Sequence, residues 1–336
     1  MKKYKILVLT DHTNHSKENS LYALLRAMQQ HPSCERIEVA TRANPNNKLF
    51  FESKGSKSLY VTTVKEDFAF HPEGEFLYRD LHRERVWEYD IIWLRLPPPL
   101  SATFLQYLEN SINGPLIIND PKGIYETGSK AFLMNFPTLC PPMRLCRSIG
   151  DILEFKEQFS IVLKPFREYG GKGIVKIEGN TAWIGKQAIP FADFINGLAS
   201  QPIEYLGVQY LKNVSQGDKR IIVINGKIMG ASLRLPAKDS WLCNVAQGGT
   251  DQLATVDERE RYIVEQVDPI LSDMGIVMYG IDTLVGNDGQ RVLSEINTTS
   301  IGGLPQMDRQ TGKPLVKEGV DLIWQFIASR VTNSVL

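Results

Sequence analysis

Two apolar runs late in the chain, Ile276 to Val285 and Arg291 to Asn297, flank the turn sequence Gly286-Asn287-Asp288-Gly289. Runs of this length and content, split by such a turn, fold as an antiparallel hairpin. That constrains the fold strongly, because the hairpin sets Asp282 on one strand beside Glu295 and Asn297 on the other. Three converging oxygen ligands suit Mg²⁺, which takes a few carboxylates and fills its other positions with phosphate oxygens and water. Taken alone, the pattern also fits a polar strand pair on a wet sheet face.

Two upstream clusters bear on the choice. Ile161-Val162-Leu163-Lys164-Pro165 reads as a strand, Gly170-Gly171-Lys172-Gly173 as a glycine-rich loop, and Ile174 to Glu178 as a returning strand. Glycines let backbone N–H groups approach an anion closely, and Lys164, Arg167 and Lys172 surround the loop with positive charge. The turn is longer than a hairpin needs, which favours anion binding over a plain flexible turn. Further on, Gly217-Asp218-Lys219-Arg220 leads into the strand Ile221 to Ile224. Asn225-Gly226 is a type I′ turn signal, and Lys227 to Arg234 returns. Arg220 and Arg234 then lie on paired strands. Two guanidinium groups on one face suit a phosphoryl group or a carboxylate, although two solvated arginines would leave the same trace.

The ordered set Lys130, Lys164-Pro165, Gly170-Gly171-Lys172-Gly173, Gln209-Tyr210-Leu211, Gly217-Asp218-Lys219-Arg220, Asn244 with Gly248-Gly249, Gly280-Ile281-Asp282 and Glu295-Ile296-Asn297-Thr298-Thr299-Ser300 resembles the ATP-grasp superfamily, in particular its bacterial glutathione synthetase branch. The resemblance runs from the first strand, Lys5 to Asp11, to about Pro305. It implies an ATP-grasp fold, mixing α/β and α+β, behind an N-terminal doubly wound α/β domain. It also implies an ATP-dependent carboxylate–amine ligase working through an acylphosphate. Lys130, Lys164 and the loop 170–173 would meet phosphates, the backbone of Gln209, Tyr210 and Leu211 the adenine, and Asp218 the ribose. Asp282, Glu295 and Asn297 would hold Mg²⁺, two ions, with Mn²⁺ as a substitute. Arg220 and Arg234 would be catalytic. Arg95, Asn244, Gly248, Gly249, Ser300, Gly302 and Gly303 would contact the acyl substrate. The implied partners are small amino acids or peptides, and relatives of this branch are dimers or tetramers, so a homo-oligomer is expected. The family's lid arginines are replaced by Leu242 and Thr250, and its Thr-Ser-Pro-Thr-Cys run by Thr299-Ser300-Ile301-Gly302-Gly303. ATP and metal binding are therefore better supported than γ-glutamylcysteine and glycine as the substrates. A ligase for a different amino acid or peptide pair, or an ATP-binding module without catalysis, stays open.

Composition agrees with a soluble enzyme rather than a nucleic-acid binder: 38 Lys+Arg balance 38 Asp+Glu in 336 residues. Cys34, Cys140, Cys146 and Cys243 form no Cys-X-X-Cys pair, which points away from zinc and redox motifs and toward free thiols. Neither a signal peptide nor a run of ~20 apolar residues is present, so the expected compartment is the cytoplasm. No Walker loop and no Gly-X-Gly-X-X-Gly follow the early strands, which disfavours P-loop and dehydrogenase readings. Alternating strands and helices place an α/β substrate domain at 1–120, with Ser58 to Val64 as an edge strand. A lid subdomain follows at 121–205, with Cys140-Pro141-Pro142 as a linker. The metal-binding domain occupies 206–331, with a closing loop at 235–251. A helix beginning after Asp257 should bury Ile263, Val267, Ile270 and Leu271.

Overall fold

The computed structural model describes residues 2–236 and 250–333. Its backbone is three sheets taken in sequence along the chain. The first contains β1 (Tyr4–Thr10), β2 (Cys34–Thr41), β3 (Ser58–Thr63), β4 (His82–Arg85), β5 (Ile91–Arg95) and β6 (Leu116–Ile118), in the order β4-β3-β2-β1-β5-β6. β1 runs parallel to β2 and β5, and β5 to β6, whereas β3 and β4 add antiparallel. β3 is thus an inner strand; the edge expected there belongs to β4, whose His-Arg-Glu-Arg sequence carries little apolar signal. Helices α1 (Ser20–Gln29), α2 (Lys48–Phe51), α3 (Ala102–Ser111) and α4 (Pro121–Thr127) accompany this sheet. Asn19 and Ser101 cap α1 and α3 by accepting from the amides of Leu21 and Phe104, which satisfies donors that have no partner inside the helix. Alternation along β1 splits its side chains between two cores. Leu7 and Leu9 join Phe104, Leu105 and Leu108 of α3, while Ile6 and Val8 join Leu21, Leu24, Leu25 and Met28 of α1. Both faces are covered, as in a doubly wound sheet.

The second sheet is antiparallel. It holds β7 (Met143–Cys146), β8 (Ile161–Pro165), β9 (Val175–Glu178), β10 (Thr181–Ile184), β11 (Gln187–Pro190) and β12 (Tyr205–Gln209), in the order β11-β10-β9-β8-β12-β7. With α5 (Ile149–Gln158) and α6 (Phe191–Leu198) it encloses a small core of its own around Phe155, Leu163, Ile177 and Phe194. β12 belongs here, so the domain boundary expected at 205/206 falls inside a strand. β7 directly follows the Pro141-Pro142 segment and forms the far edge of the sheet.

The third sheet is also antiparallel: β13 (Asp218–Ile224), β14 (Lys227–Leu235), β15 (Thr250–Ala254), β16 (Met278–Val285) and β17 (Arg291–Asn297), in the order β15-β14-β13-β16-β17. Asn225 and Gly226 both take positive φ, 47° and 76°, as a type I′ turn requires. Helix α7 (Glu258–Asp273) covers one face through Ile263, Val264, Val267 and Leu271; Ile270 is exposed instead of buried. Helices α8 (Leu304–Thr311) and α9 (Leu315–Asn333) cover the other face, where Leu304, Met307, Ile323 and Ile327 share a core with α1. The first and third sheets therefore share cores, while the second has a small core of its own and lends Leu206 and Val208 of β12 to one of the shared ones. Among the described residues no helix is long and apolar enough to cross a membrane.

Polar side chains at the ends of β5 and β6 fasten the first sheet to the third. Buried Asn119 donates to the carbonyls of Met278 (2.8 Å) and Thr298 (2.7 Å) and accepts from the amides of Val277 (2.9 Å) and Met278 (3.2 Å). Truncating it would strand several buried backbone groups. Asn119→Ala is expected to lower unfolding free energy by about 2 kcal/mol or more, because each buried group left unpaired costs about 1–3 kcal/mol. Chemical denaturation checks this, and a change within error would refute it.

Candidate active site

Strand pairing in the third sheet sets the site. Arg220 on β13 lies opposite Asp282 on β16, and Asp282 lies opposite Glu295 on β17, so one row crosses three strands. Asn297 follows two residues beyond Glu295 and pairs with Gly280. On the other side of β13, Asp218 faces Arg234 of β14. All six residues line one cavity of about 360 Å³ between the second and third sheets.

The charged groups in this row are mutually engaged. The Arg220 guanidinium makes a two-pronged contact with Asp282, through Nε to Oδ1 and Nη2 to Oδ2. Arg234 does the same to Asp218, at 2.6 and 2.7 Å, and its Nη2 also reaches Asp282 Oδ2 at 2.9 Å. Asn297 Nδ2 donates to Asp282 Oδ2 at 3.2 Å. Burial by itself would raise the Asp282 pKa, but Arg220 and Arg234 hold it below the usual carboxylate range. Asp218 goes the other way, from 3.8 to about 6, through burial first and the Asp282 charge second. Asp218 lines the cavity with both its oxygens bonded to Arg234.

Lysines stand across the cavity. Lys164, in β8, donates to the Ser294 hydroxyl at 3.1 Å and to the Ser294 carbonyl at 3.3 Å, and burial lowers its pKa. Ser294 is the extra residue of a β-bulge: Asp282 pairs with Glu295, but Thr283 pairs with Leu293, so Ser294 has no partner in the ladder. The bulge allows the consecutive residues Ser294 and Glu295 both to line the cavity. Lys130 lies in a short 3₁₀ turn beside a smaller crevice; it donates to the Glu168 carbonyl and sits 3.6 Å from Glu295 Oε1. Gly170 and Gly171 line the main cavity with φ of 67° and 78°. Lys172 and Gly173 are exposed and do not line it.

The wall also carries an apolar slot lined by Met143, Val162, Val208 and Leu284. Gln209, Tyr210 and Leu211 border it. The amides of Gln209 and Tyr210 are bonded to the carbonyls of Pro142 and Ser160, each at 2.8 Å, and Leu211 is the one of the three with no such backbone partner among the described residues.

Several expected substrate contacts lie elsewhere. Arg95 is buried, at 3% exposure, and donates to the Ile301 carbonyl at 2.7 Å; it supports the loop after β17 from behind instead of facing the cavity. Burial lowers its pKa to about 10. Ser300 does line the cavity, at a positive φ of 47°. Gly302 and Gly303 do not; Gly303 caps α8. Asn244, Gly248 and Gly249, with Leu242 and most of the closing loop, lie outside the described residues. The residues missed in the sequence were Ser294 and the apolar slot. A serine directly before the acid Glu295 was the only signal for the first, and strand alternation gave no reason to weigh it.

The donor set fits Mg²⁺. Asp282, Glu295 and Asn297 offer carboxylate and amide oxygens from adjacent strands facing one cavity, and two guanidinium groups already show that Asp282 accepts positive charge there.

The sequence model of the family described as prokaryotic glutathione synthetase, ATP-grasp domain, matches residues 129–312. The glutathione synthetase of Bradyrhizobium diazoefficiens is 31% identical over 269 residues, covering 79% of this chain and 81% of that protein. Among solved structures, D-cycloserine synthetase DcsG superposes with a TM-score of 0.62 at 13% identity, covering 97% of this chain and 99% of that one. The D-alanine-D-alanine ligase from Coxiella burnetii superposes at 0.60 with 12% identity, covering 100% and 98%. At such identities the structural likeness supports the fold alone.

Because folding raises the pKa of Asp218, the folded protein binds that proton more tightly than the unfolded chain. This group therefore costs stability progressively as pH rises from 3.8 to about 6. Asp218→Asn is expected to lose that component of the decline in a series of unfolding curves across the window. Parallel pH dependence in the two proteins would contradict the assignment.

Proposed function

Since the chain belongs to the prokaryotic glutathione synthetase family of ATP-grasp ligases, we propose that it joins γ-glutamylcysteine to glycine at the expense of ATP. The enzyme is an ATP-dependent ligase that forms C–N bonds. The observation that carries the substrate-site reading is the cross-strand row Arg220–Asp282–Glu295 facing Lys164 over one cavity. A carboxylate does not condense with an amine unaided in water. Attack of the acyl carboxylate on the γ-phosphorus of ATP forms the O–P bond of an acylphosphate and expels ADP. The amine then attacks the carbonyl, loses a proton, and the C–O bond breaks to release inorganic phosphate. Such a sequence needs charge neutralisation and shielding from water.

In this reading, Lys130, Lys164 and the amides around Gly170 and Gly171 hold phosphate oxygens. The apolar slot takes the adenine, with Leu211 supplying a backbone donor. Asp282, Glu295 and Asn297 would hold Mg²⁺, two ions in the full proposal, and the metal would draw charge from the β- and γ-phosphate oxygens. Arg220 neutralises the transferring phosphoryl group and Arg234 the acyl substrate or its phosphate. Ser300 borders the acyl end. The homo-oligomer, dimer or tetramer, is part of the same proposal.

A second reading, a ligase for another amino acid or peptide pair, is favoured by Leu242 and Thr250 in the lid and by Ile301-Gly302-Gly303 after the metal residues. A phosphate-release screen of amino acids and dipeptides in pairs, with Mg²⁺ and ATP, separates the two. Release that requires γ-glutamylcysteine and glycine together supports the first; release with a different pair replaces it. No phosphate release with any pair would overturn both.

Arg220→Ala is expected to lower kcat by roughly 100-fold or more while leaving ATP affinity within a few-fold, because its contribution grows as charge moves to the transition state. Rapid-quench kinetics with equilibrium nucleotide binding checks the split. Equal losses in both would remove Arg220 from that role.

A further inference from the structure

Behind the row of site residues lies a buried carboxylate that none of the steps above uses. Glu260, in the first turn of α7, has no exposed surface. Its Oε2 accepts from Lys219 Nζ at 2.6 Å and from the Asp257 amide at 3.0 Å, and its Oε1 accepts from Thr283 Oγ1 at 2.7 Å. Arg291 Nε stands 3.9 Å from Oε1. Lys219 and Thr283 are direct cross-strand partners, and the next pair along the same two strands is Arg220 and Asp282. Side chains alternate along a strand, so the pair 219/283 points to α7 while the pair 220/282 points to the cavity. One carboxylate thus bridges β13 and β16 from the rear, at the register position next to the two residues that matter in front.

The bridge stands beside an irregularity in the ladder. The β-bulge lies between Asp282 and Thr283, so regular pairing of β16 with β17 is interrupted at that point. Side-chain bonds to Glu260 add a tie on Thr283 at this irregular point, beyond its cross-strand pairing with Lys219 and Leu293. Lys219 Nζ also donates to the Thr255 carbonyl at 2.9 Å, just past the end of β15. We propose that Glu260, acting through Thr283 and Lys219, is a positioning residue that fixes the Asp282 carboxylate relative to Arg220 and so sets the affinity for the divalent cation. The inference rests on the reading of Asp282 as a metal ligand.

Thr283→Val keeps the side-chain shape and removes one tie; Lys219→Met removes the other. The probe is Mn²⁺ in the presence of a non-hydrolysable ATP analogue, with bound metal counted by electron paramagnetic resonance and folding followed by thermal melting. Thr283→Val is expected to weaken Mn²⁺ binding roughly tenfold at unchanged stoichiometry, in line with other residues that orient metal ligands. Lys219→Met should change it in the same direction, and Thr283→Ser should restore it. Unchanged affinity in both weakened variants would overturn the inference. So would a fall in stoichiometry at constant affinity, because that reports only loss of folded protein. Asp282→Asn run alongside keeps the two ideas apart. If it abolishes Mn²⁺ binding while Thr283→Val does nothing, the positioning role fails alone; if it leaves binding intact, the metal reading itself falls.

Discussion

Four charges meet on one face of the third sheet: Arg220 and Arg234 against Asp218 and Asp282. Removing any one partner would leave an uncompensated charge in a poorly solvated place, which is why such groups occur together or not at all. Their balance accounts for the opposite behaviour of the two carboxyls. Asp282, touched by both guanidinium groups, is held ionised, while Asp218, with one guanidinium and a neighbouring anion, is pushed toward protonation. On the proposed reading, phosphate oxygens succeed the carboxylates as partners of the arginines, and the cation succeeds the arginines as partner of Asp282. Charge would be exchanged instead of created, which keeps reorganisation small.

The surrounding fold serves that balance from two directions. The first and third sheets are packed through shared cores and fastened by Asn119 and Arg95, so the wall bearing Asp282 and Ser300 is part of a continuous body. The second sheet, with its separate core around Phe155 and Ile177, supplies Lys164, Gly170 and Gly171. The cavity lies along the seam where β12 of that sheet also joins the shared core, through Leu206 and Val208.

Much of this was readable from the residues because local chemistry dictates it. The Gly286–Gly289 and Asn225-Gly226 turns fix hairpins by backbone sterics, and the hairpins set Asp282 beside Glu295 and Asp218 beside Arg234, whereas Arg220 meets Asp282 through the long-range pairing of β13 with β16. Asn19 and Ser101 mark helix starts by a bond within a few residues of themselves. What escaped depends on partners far away in the chain. Arg95 looked like a substrate ligand at a strand end, yet its guanidinium reaches Ile301, a residue that no local pattern connects to it. Met143–Cys146, just after the linker Cys140-Pro141-Pro142, was given no assignment, because an edge strand of four residues leaves only a short apolar trace. Lys219 lies between two site residues and looks like a member of their cluster; only its buried partner on α7 reveals that it serves the opposite face.

The bulge at Ser294 has a consequence for how this hairpin can change in length. A regular strand offers a surface every second residue, so an odd insertion or deletion inverts everything beyond it. Here one surplus residue has already been absorbed without inversion, and a hydroxyl that steadies Lys164 abuts a carboxylate next door. The tip is tied down as well, where Asn287 accepts from the Lys212 amide at 2.9 Å and donates to the Tyr210 carbonyl at 3.2 Å. The stretch from Leu293 to Asn297 behaves as a fixed-length ruler, in which even a silent-looking one-residue shift would turn Glu295 toward the packed helix.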